Sequence, residues 1–185
     1  HSVKNMLQGL RSGAGAIDLA LDKGNLELAR EGWPILARNL ERVYALTFNM
    51  LAWSRSSTVE FSLMQLEPIV EDAIELVRTS CKRKGVKLSS FIEDDLPPIS
   101  IDGTAVLQVL LNVLKNAIDA VPDQSGTVSI DVTMNVELQS ININVVDNGG
   151  GIEAGSKETL FKAFHTTKGQ KGTGLGLAVA KKIIQ

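Results

Sequence analysis

The sequence predicts an α/β sandwich over residues 59–185, preceded over residues 1–58 by an antiparallel helical hairpin that dimerises as a four-helix bundle. Three observations predict it. Apolar residues near the start recur at alternating spacings of four and three, the signature of a helix seam. Further along, helical periodicity is interleaved with stretches that alternate with a period of two. Between the two patterns lies the short polar run Ser54-Arg55-Ser56-Ser57.

The seam of the first helix is Val3, Leu7, Leu10, Ala14, Ile17 and Leu21. It is too narrow for an ordinary surface helix and calls for a helical partner. After the break Asp22-Lys23-Gly24-Asn25, the residues Leu36, Leu40, Val43, Thr47 and Met50 repeat the alternation, with Trp33 and Trp53 available near the ends. Two helices bury little surface, so a second copy of the hairpin is the simplest way to close the core, giving a homodimer. In the second part, residues 67–84 read as a helix, 86–92 as a strand, 103–121 as a helix, 127–135 and 139–146 as two strands joined by a turn, and 175–185 as a final helix. Mixed helices and strands against one sheet make a sandwich. If that domain needs closing C-terminal strands, they fall outside this sequence.

Composition narrows the function classes. Of 185 residues, 44% are hydrophobic, enough for a core, and 19 basic against 21 acidic residues leave a formal charge of −2. No single-sign field points to nucleic acid. Cys81, the one cysteine, forms no internal disulfide and reads as an ordinary thiol of a reducing compartment. No apolar run reaches the roughly 18 residues of a spanning helix and no signal peptide opens the chain, so a soluble, cytoplasmic portion is expected, with the membrane attachment of any longer protein unknown.

The chemistry-bearing residues cluster in the second part. Asn112, Asn116 and Asp119 recur at helical spacing, separate from the apolar set Leu110, Leu114, Ala117 and Val121. Asparagine is a poor mid-helix residue, yet its neutral carboxamide can order magnesium-bound oxygens; two asparagines on a solvated face are the plainer explanation. Ile141, Ile143, Val145 and Asp147 share one strand face, so the alternation delivers a carboxylate to the rim of an apolar interior. An adenine amine can donate to that carboxylate while the ring slides over Gly149, Gly150 and Gly151; an acid-initiated tight turn has the same signature. Downstream, Phe161 and Phe164 bracket one end of a loop carrying Lys168 and Lys171. Its glycines Gly172, Gly174 and Gly176, with Thr173 and Leu175, can offer backbone amides to phosphate where the last helix begins. The spacing is neither a P-loop nor a Rossmann turn.

In that order, these motifs resemble the GHKL-type ATP-binding domain shared by sensor histidine kinases, gyrase-type topoisomerases, Hsp90 chaperones and mismatch-repair ATPases. "LLNVLKNAIDAV" is similar to the kinase N box, "DNGGGI" to the first glycine box, "LFKAFHTTK" to the F box and "GTGLGLAVAKKI" to the second glycine box. The resemblance covers nearly all of residues 60–185. It implies ATP and Mg2+ as cofactors, adenine recognition at Asp147, magnesium contact at Asn116 with Asn112 assisting, and phosphate contact at Gly172, Gly174 and Gly176. Hydrolysing members carry a glutamate four residues before the magnesium asparagine, where this chain has Asn112, which cannot act as a general base.

"HSVKNMLQGL" resembles the phosphoacceptor H box that opens the dimerisation hairpin of sensor histidine kinases. The resemblance implies His1 as the phosphorylated nucleophile, Asn5 as a residue that orients water for dephosphorylating a partner, and a response regulator receiver domain as that partner. His1 and Asn5 are one turn apart and off the seam. A first-residue histidine is also what a tag remnant or frayed end supplies. Ser2 stands where many relatives have an acid, and a serine hydroxyl is a poor base near neutral pH. The reading is a protein histidine kinase whose autophosphorylation is open to question. The alternatives are a degenerate nucleotide-binding scaffold, a response-regulator phosphatase, or a serine kinase or ATPase of the same superfamily.

Overall fold

The computed structural model describes residues 2–54, 60–156, 159–163, 165–166 and 174–184. The chain falls into two compact units, His1–Arg55 with Phe164–Leu175, and Ser56–Ala163 with Gly176–Gln185.

The first unit is a helical hairpin of α1 (Ser2–Asp22) and α2 (Leu26–Ser54). The turn between them stops α1 with Gly24 at φ 61°, and Asn25 then caps α2, its side-chain oxygen accepting from the Glu27 and Leu28 amides at 3.1 Å each. The face that α1 turns to α2 is a stripe of small residues and one thioether. Met6, Gly13 and Ala20 are buried there, facing Gly32 and Asn39 on α2. A Cβ on Gly13 would sit 2.7 Å from the Leu36 backbone nitrogen, so the helices approach backbone to backbone at that point. The seam expected from the sequence lies to one side of this contact: Leu7 is 55% exposed and Leu40 60%, while Val3 and Leu21 are also exposed and Leu10, Ala14 and Ile17 are half-buried. Glycine has no side chain for a periodicity count to register, which is why the inner face was not legible. Trp33 is exposed, and the side chains of Met50 and Trp53 lie outside the described residues.

The second unit holds β1 (Ser62–Met64), α3 (Glu67–Lys84), β2 (Lys87–Ile92), β3 (Ile99–Ile101), α4 (Gly103–Ala120), β4 (Thr127–Asn135), β5 (Ser140–Asp147) and α5 (Gly176–Ile184), with a 3-10 turn at Ala154–Ser156. It is an α/β sandwich with a mixed sheet. β4 is the central strand of the order β2-β4-β5, parallel to β2 and antiparallel to β5, and β1 pairs with β3 as a separate antiparallel ribbon. Residues Val128, Ile130 and Val132 of β4 point alternately into a core completed by Val70 and Val77 of α3 and Leu114 and Ile118 of α4. These side chains are buried almost completely, each worth about 1.5–3 kcal/mol relative to exposure.

Local chemistry sets the ends of the helices. Gly85 takes φ 68° beyond α3, its amide reaching back to the Cys81 and Lys82 carbonyls. Asp102 caps α4 by accepting from the Ala105 amide at 3.0 Å. Cys81 is buried against the core, and desolvation raises its thiol pKa, so it stays protonated and unreactive.

Candidate nucleotide site

α4 presents two different faces. Leu110, Leu114, Ala117 and Ile118 are buried in the core, whereas Asn112 and Asn116 are half-buried and Asp119 is exposed. Core packing of the first set therefore holds the second in a fixed row. Asn112 accepts from the Gln108 side chain at 3.3 Å through its oxygen. Its amide nitrogen is buried and has no hydrogen-bond partner among the described residues. A buried donor left open in this way is costly unless something accepts from it.

What adjoins Asn112 is the start of α5. A Cβ at Gly176 would lie 3.3 Å from the Asn112 oxygen, which places the carboxamide beside the first turn of that helix. A helix of nine residues carries partial positive charge at this end, a natural seat for an anion. The helix start is suited to phosphate oxygens. Ahead of this helix Gly174 has φ 66°, and Leu175 is buried.

At the far end of α4 the loop after β5 closes in. β5 finishes at Asp147, which pairs with Val128 at the margin of the sheet. The Asp147 side chain is exposed, rather than partly buried as the alternation predicted. One carboxylate oxygen accepts from the Gly149 amide at 2.8 Å, the acid-initiated turn that the sequence also allowed. The second oxygen leaves an acceptor for a donor from outside, such as an adenine amine.

Two of the three glycines that follow have identifiable and different reasons. A Cβ on Gly149 would lie 2.8 Å from the Ala120 carbonyl oxygen and 2.7 Å from the Asp147 carboxylate, so this residue is bare because the end of α4 presses on it. Gly151 has φ 75°, which a side chain would strain, while Gly150 is open on all sides. Asn148 secures the loop from behind. Its amide oxygen accepts from the Thr127 backbone at 2.8 Å, its amide nitrogen donates to Ser125 at 3.2 Å, and its own backbone nitrogen donates to Thr127 at 3.2 Å. The sequence reading passed over Asn148, since its partners come from a loop more than 20 residues earlier.

The structure thus brings Asn112 to Gly176 and joins Asp147 and Gly149 to the end of α4. Phe161, one aromatic anchor of the downstream loop, has the Lys181 ammonium 5.5 Å from its ring centroid. His1, Phe164, Lys168, Lys171, Gly172 and Thr173 lie outside the described residues, as does the side chain of Ser2. Asn5 is exposed on α1. Among the described residues no group of three or more His, Cys, Asp or Glu could hold a metal ion.

Comparison with known proteins gives this geometry a context. Residues 101–185 match the family described as histidine kinase-, DNA gyrase B- and HSP90-like ATPase. Over 184 residues, all of this chain and 29% of the relative, the sequence is 29% identical to the signal transduction histidine-protein kinase AtoS of Escherichia coli. It is 26% identical over 196 residues to the sensory histidine kinase/phosphatase NtrB of Azospirillum brasilense, covering all of this chain and 48% of that protein. The chain thus spans less than half the length of both relatives. The catalytic domain of histidine kinase ThkA superposes with a TM-score of 0.60 at 29% identity, covering 68% of this chain and 80% of that one. ThkA in complex with the response regulator TrrA shares the fold at a TM-score of 0.68 and 21% identity, over 98% of this chain and 53% of that one. No helix among the described residues is long and apolar enough to cross a membrane.

Proposed function

We propose, on the premise that residues 101–185 belong to the catalytic ATP-binding domain of the sensor histidine kinases, that this chain is an ATP-dependent protein histidine kinase acting through His1. In this reading residues 1–58 form the phosphotransfer and dimerisation hairpin and residues 59–185 the catalytic domain. The observation that carries it is the half-buried carboxamide of Asn112 beside the first residue of α5, its oxygen close to Gly176 and its buried amide nitrogen without a hydrogen-bond partner among the described residues.

Bound Mg-ATP would supply a phosphoryl group and the charge to stabilise its transfer. Asp147 accepts from the adenine amine, Gly149 and Gly151 set the course of the loop beside it, and the α5 start next to Asn112 faces the phosphates. Asn116, with Asn112 assisting, contacts the magnesium. His1 is the nucleophile, and its phosphate passes to an aspartate of a response regulator receiver domain. The exposed seam residues Val3, Leu7, Leu21 and Leu40 support homodimerisation, since four large side chains open to water on one hairpin favour a second copy. An upstream sensor module and a cytoplasmic location belong to the same reading.

Ser2 favours a second reading, in which the protein works mainly as a response-regulator phosphatase with the exposed Asn5 orienting water. One experiment separates them. Incubation with γ-labelled Mg-ATP, beside His1→Gln and Asp147→Asn, is expected to give acid-labile, alkali-stable phosphate that both substitutions abolish. Nucleotide binding without label would remove the kinase reading and leave the phosphatase or a scaffold.

A further inference from the structure

We propose that Lys84 is a positioning residue for the adenine end of the nucleotide site, an inference that rests on the nucleotide reading above. Lys84 is the last residue of α3, on a different element from every site residue named so far. Its ammonium donates to the carbonyls of Ile118 at 2.7 Å, Asp119 at 3.2 Å and Val121 at 2.6 Å, using all three of its protons on carbonyls at the C-terminal end of α4. Asp123 adds a carboxylate at 3.6 Å, of little weight because it is largely exposed. A cation at this end of α4 also opposes the negative pole of the helix.

These three carbonyls flank Ala120, and Ala120 is the residue against which Gly149 is pressed. Gly149 in turn donates to the Asp147 carboxylate. A continuous set of contacts therefore runs from the Lys84 ammonium through the Ala120 peptide to the acid that meets adenine. The loop between α4 and β4 is clamped at both ends of the same route. The Gln124 amide donates to the Lys84 carbonyl at 3.0 Å, and Asn148 holds Ser125 and Thr127. Lys84 meets α4 through backbone carbonyls, that of Asp119 among them, so it acts by fixing where Ala120 stands, and with it the backbone of Gly149 and the Asp147 carboxylate.

The test uses the full chain carrying Lys84→Met, with ADP in the absence of magnesium as the probe, because that ligand reports the adenine end. The Kd is expected to rise about tenfold or more, the scale of losing charge-assisted bonds that hold the site in place. Amide exchange is the second readout: the Val121 and Gly149 amides are expected to exchange faster, while those of Val77 and Ile130 keep their protection. Lys84→Gln, which keeps an uncharged amide donor group, should fall between wild type and Lys84→Met, and it serves for both measurements should the methionine variant not fold. An unchanged Kd overturns the proposal, and so does weakened binding accompanied by equal loosening at Val77 and Ile130, which would mean a stability role. If the wild-type protein does not bind ADP, the nucleotide reading falls. Exchange at Gly149 then decides the Lys84 contact separately, faster exchange supporting the link and unchanged exchange overturning it.

Discussion

Replacing Gly149 by alanine tests the geometry of the loop after β5 most directly. The added methyl would meet the Ala120 carbonyl oxygen at 2.8 Å, its carbon at 3.0 Å and the Asp147 carboxylate at 2.7 Å. Two of these three atoms are backbone at the end of a helix that Lys84 holds in place, so the methyl cannot be accommodated by a rotamer change. Either α4 frays at Ala120 or the Asp147–Gly149 turn lifts away. Overpacking of this kind costs about 1–3 kcal/mol. The carboxylate moves with the turn, so adenine nucleotide affinity should fall together with stability. Gly150→Ala is the matched control, since nothing lies within 4 Å of its Cβ position and its φ is not positive. Urea unfolding and calorimetric titration with ADP are run on both variants. If Gly149→Ala matches Gly150→Ala in both midpoint and Kd, the reasoning that Gly149 is bare because α4 presses on it is wrong.

Three further outcomes are expected. Asp147→Asn should weaken adenine nucleotide binding by about 1–3 kcal/mol, through loss of a charge-assisted hydrogen bond, with the hairpin unaffected; titration calorimetry and sedimentation check the two halves. Glutamate at both Leu7 and Leu10 should shift the sedimentation mass from dimer to monomer, because Leu7 is largely exposed on the single hairpin and burying two carboxylates in a bundle is unfavourable. Cys81 should resist iodoacetamide until the protein unfolds. Since burial raises its pKa above the ordinary 9.0, the folded form keeps a proton that the unfolded chain releases, so Cys81's contribution to stability should be intact below pH 9.0 and decline as pH rises through the folded value. Alkylation rates and a pH series of urea midpoints read both effects.

Much of the second unit was legible because its elements obey simple periods. α3 runs Glu67–Lys84, matching its predicted span, and β4 runs Thr127–Asn135 likewise; both have a clear apolar face bounded by proline, glycine or polar turns. β3 escaped notice, since three residues after Pro97-Pro98 are too few to show alternation. The parallel pairing of β2 with β4 is a long-range choice that no local pattern encodes. Within the site, residue types at fixed spacing exposed Asn112, Asp147 and the glycines. The supports escaped, because Lys84 and Asn148 work through backbone carbonyls and amides that are close only after folding. In the hairpin the reading found both helices and their turn but placed the seam on their contact. Glycine and alanine line that contact, and the larger side chains flank it.

The buried carboxamide of Asn39 gives that hairpin a fixed axial setting. It donates to the Ile35 carbonyl at 2.8 Å and faces Gly9, where an added Cβ would collide with it. Farther along, Gly13 admits the Leu36 backbone, and Gly32 admits Ala16 and Ile17. Each notch on one helix is thus filled by a particular neighbour on the other. Sliding α1 along α2 by one turn, about 5.4 Å, would bring Met6 or Gly13 to where Gly9 now meets the carboxamide, and the notches would no longer match. The two helices are therefore keyed rather than free to glide, and any axial push on α1 must be converted into rotation, bending or local unwinding.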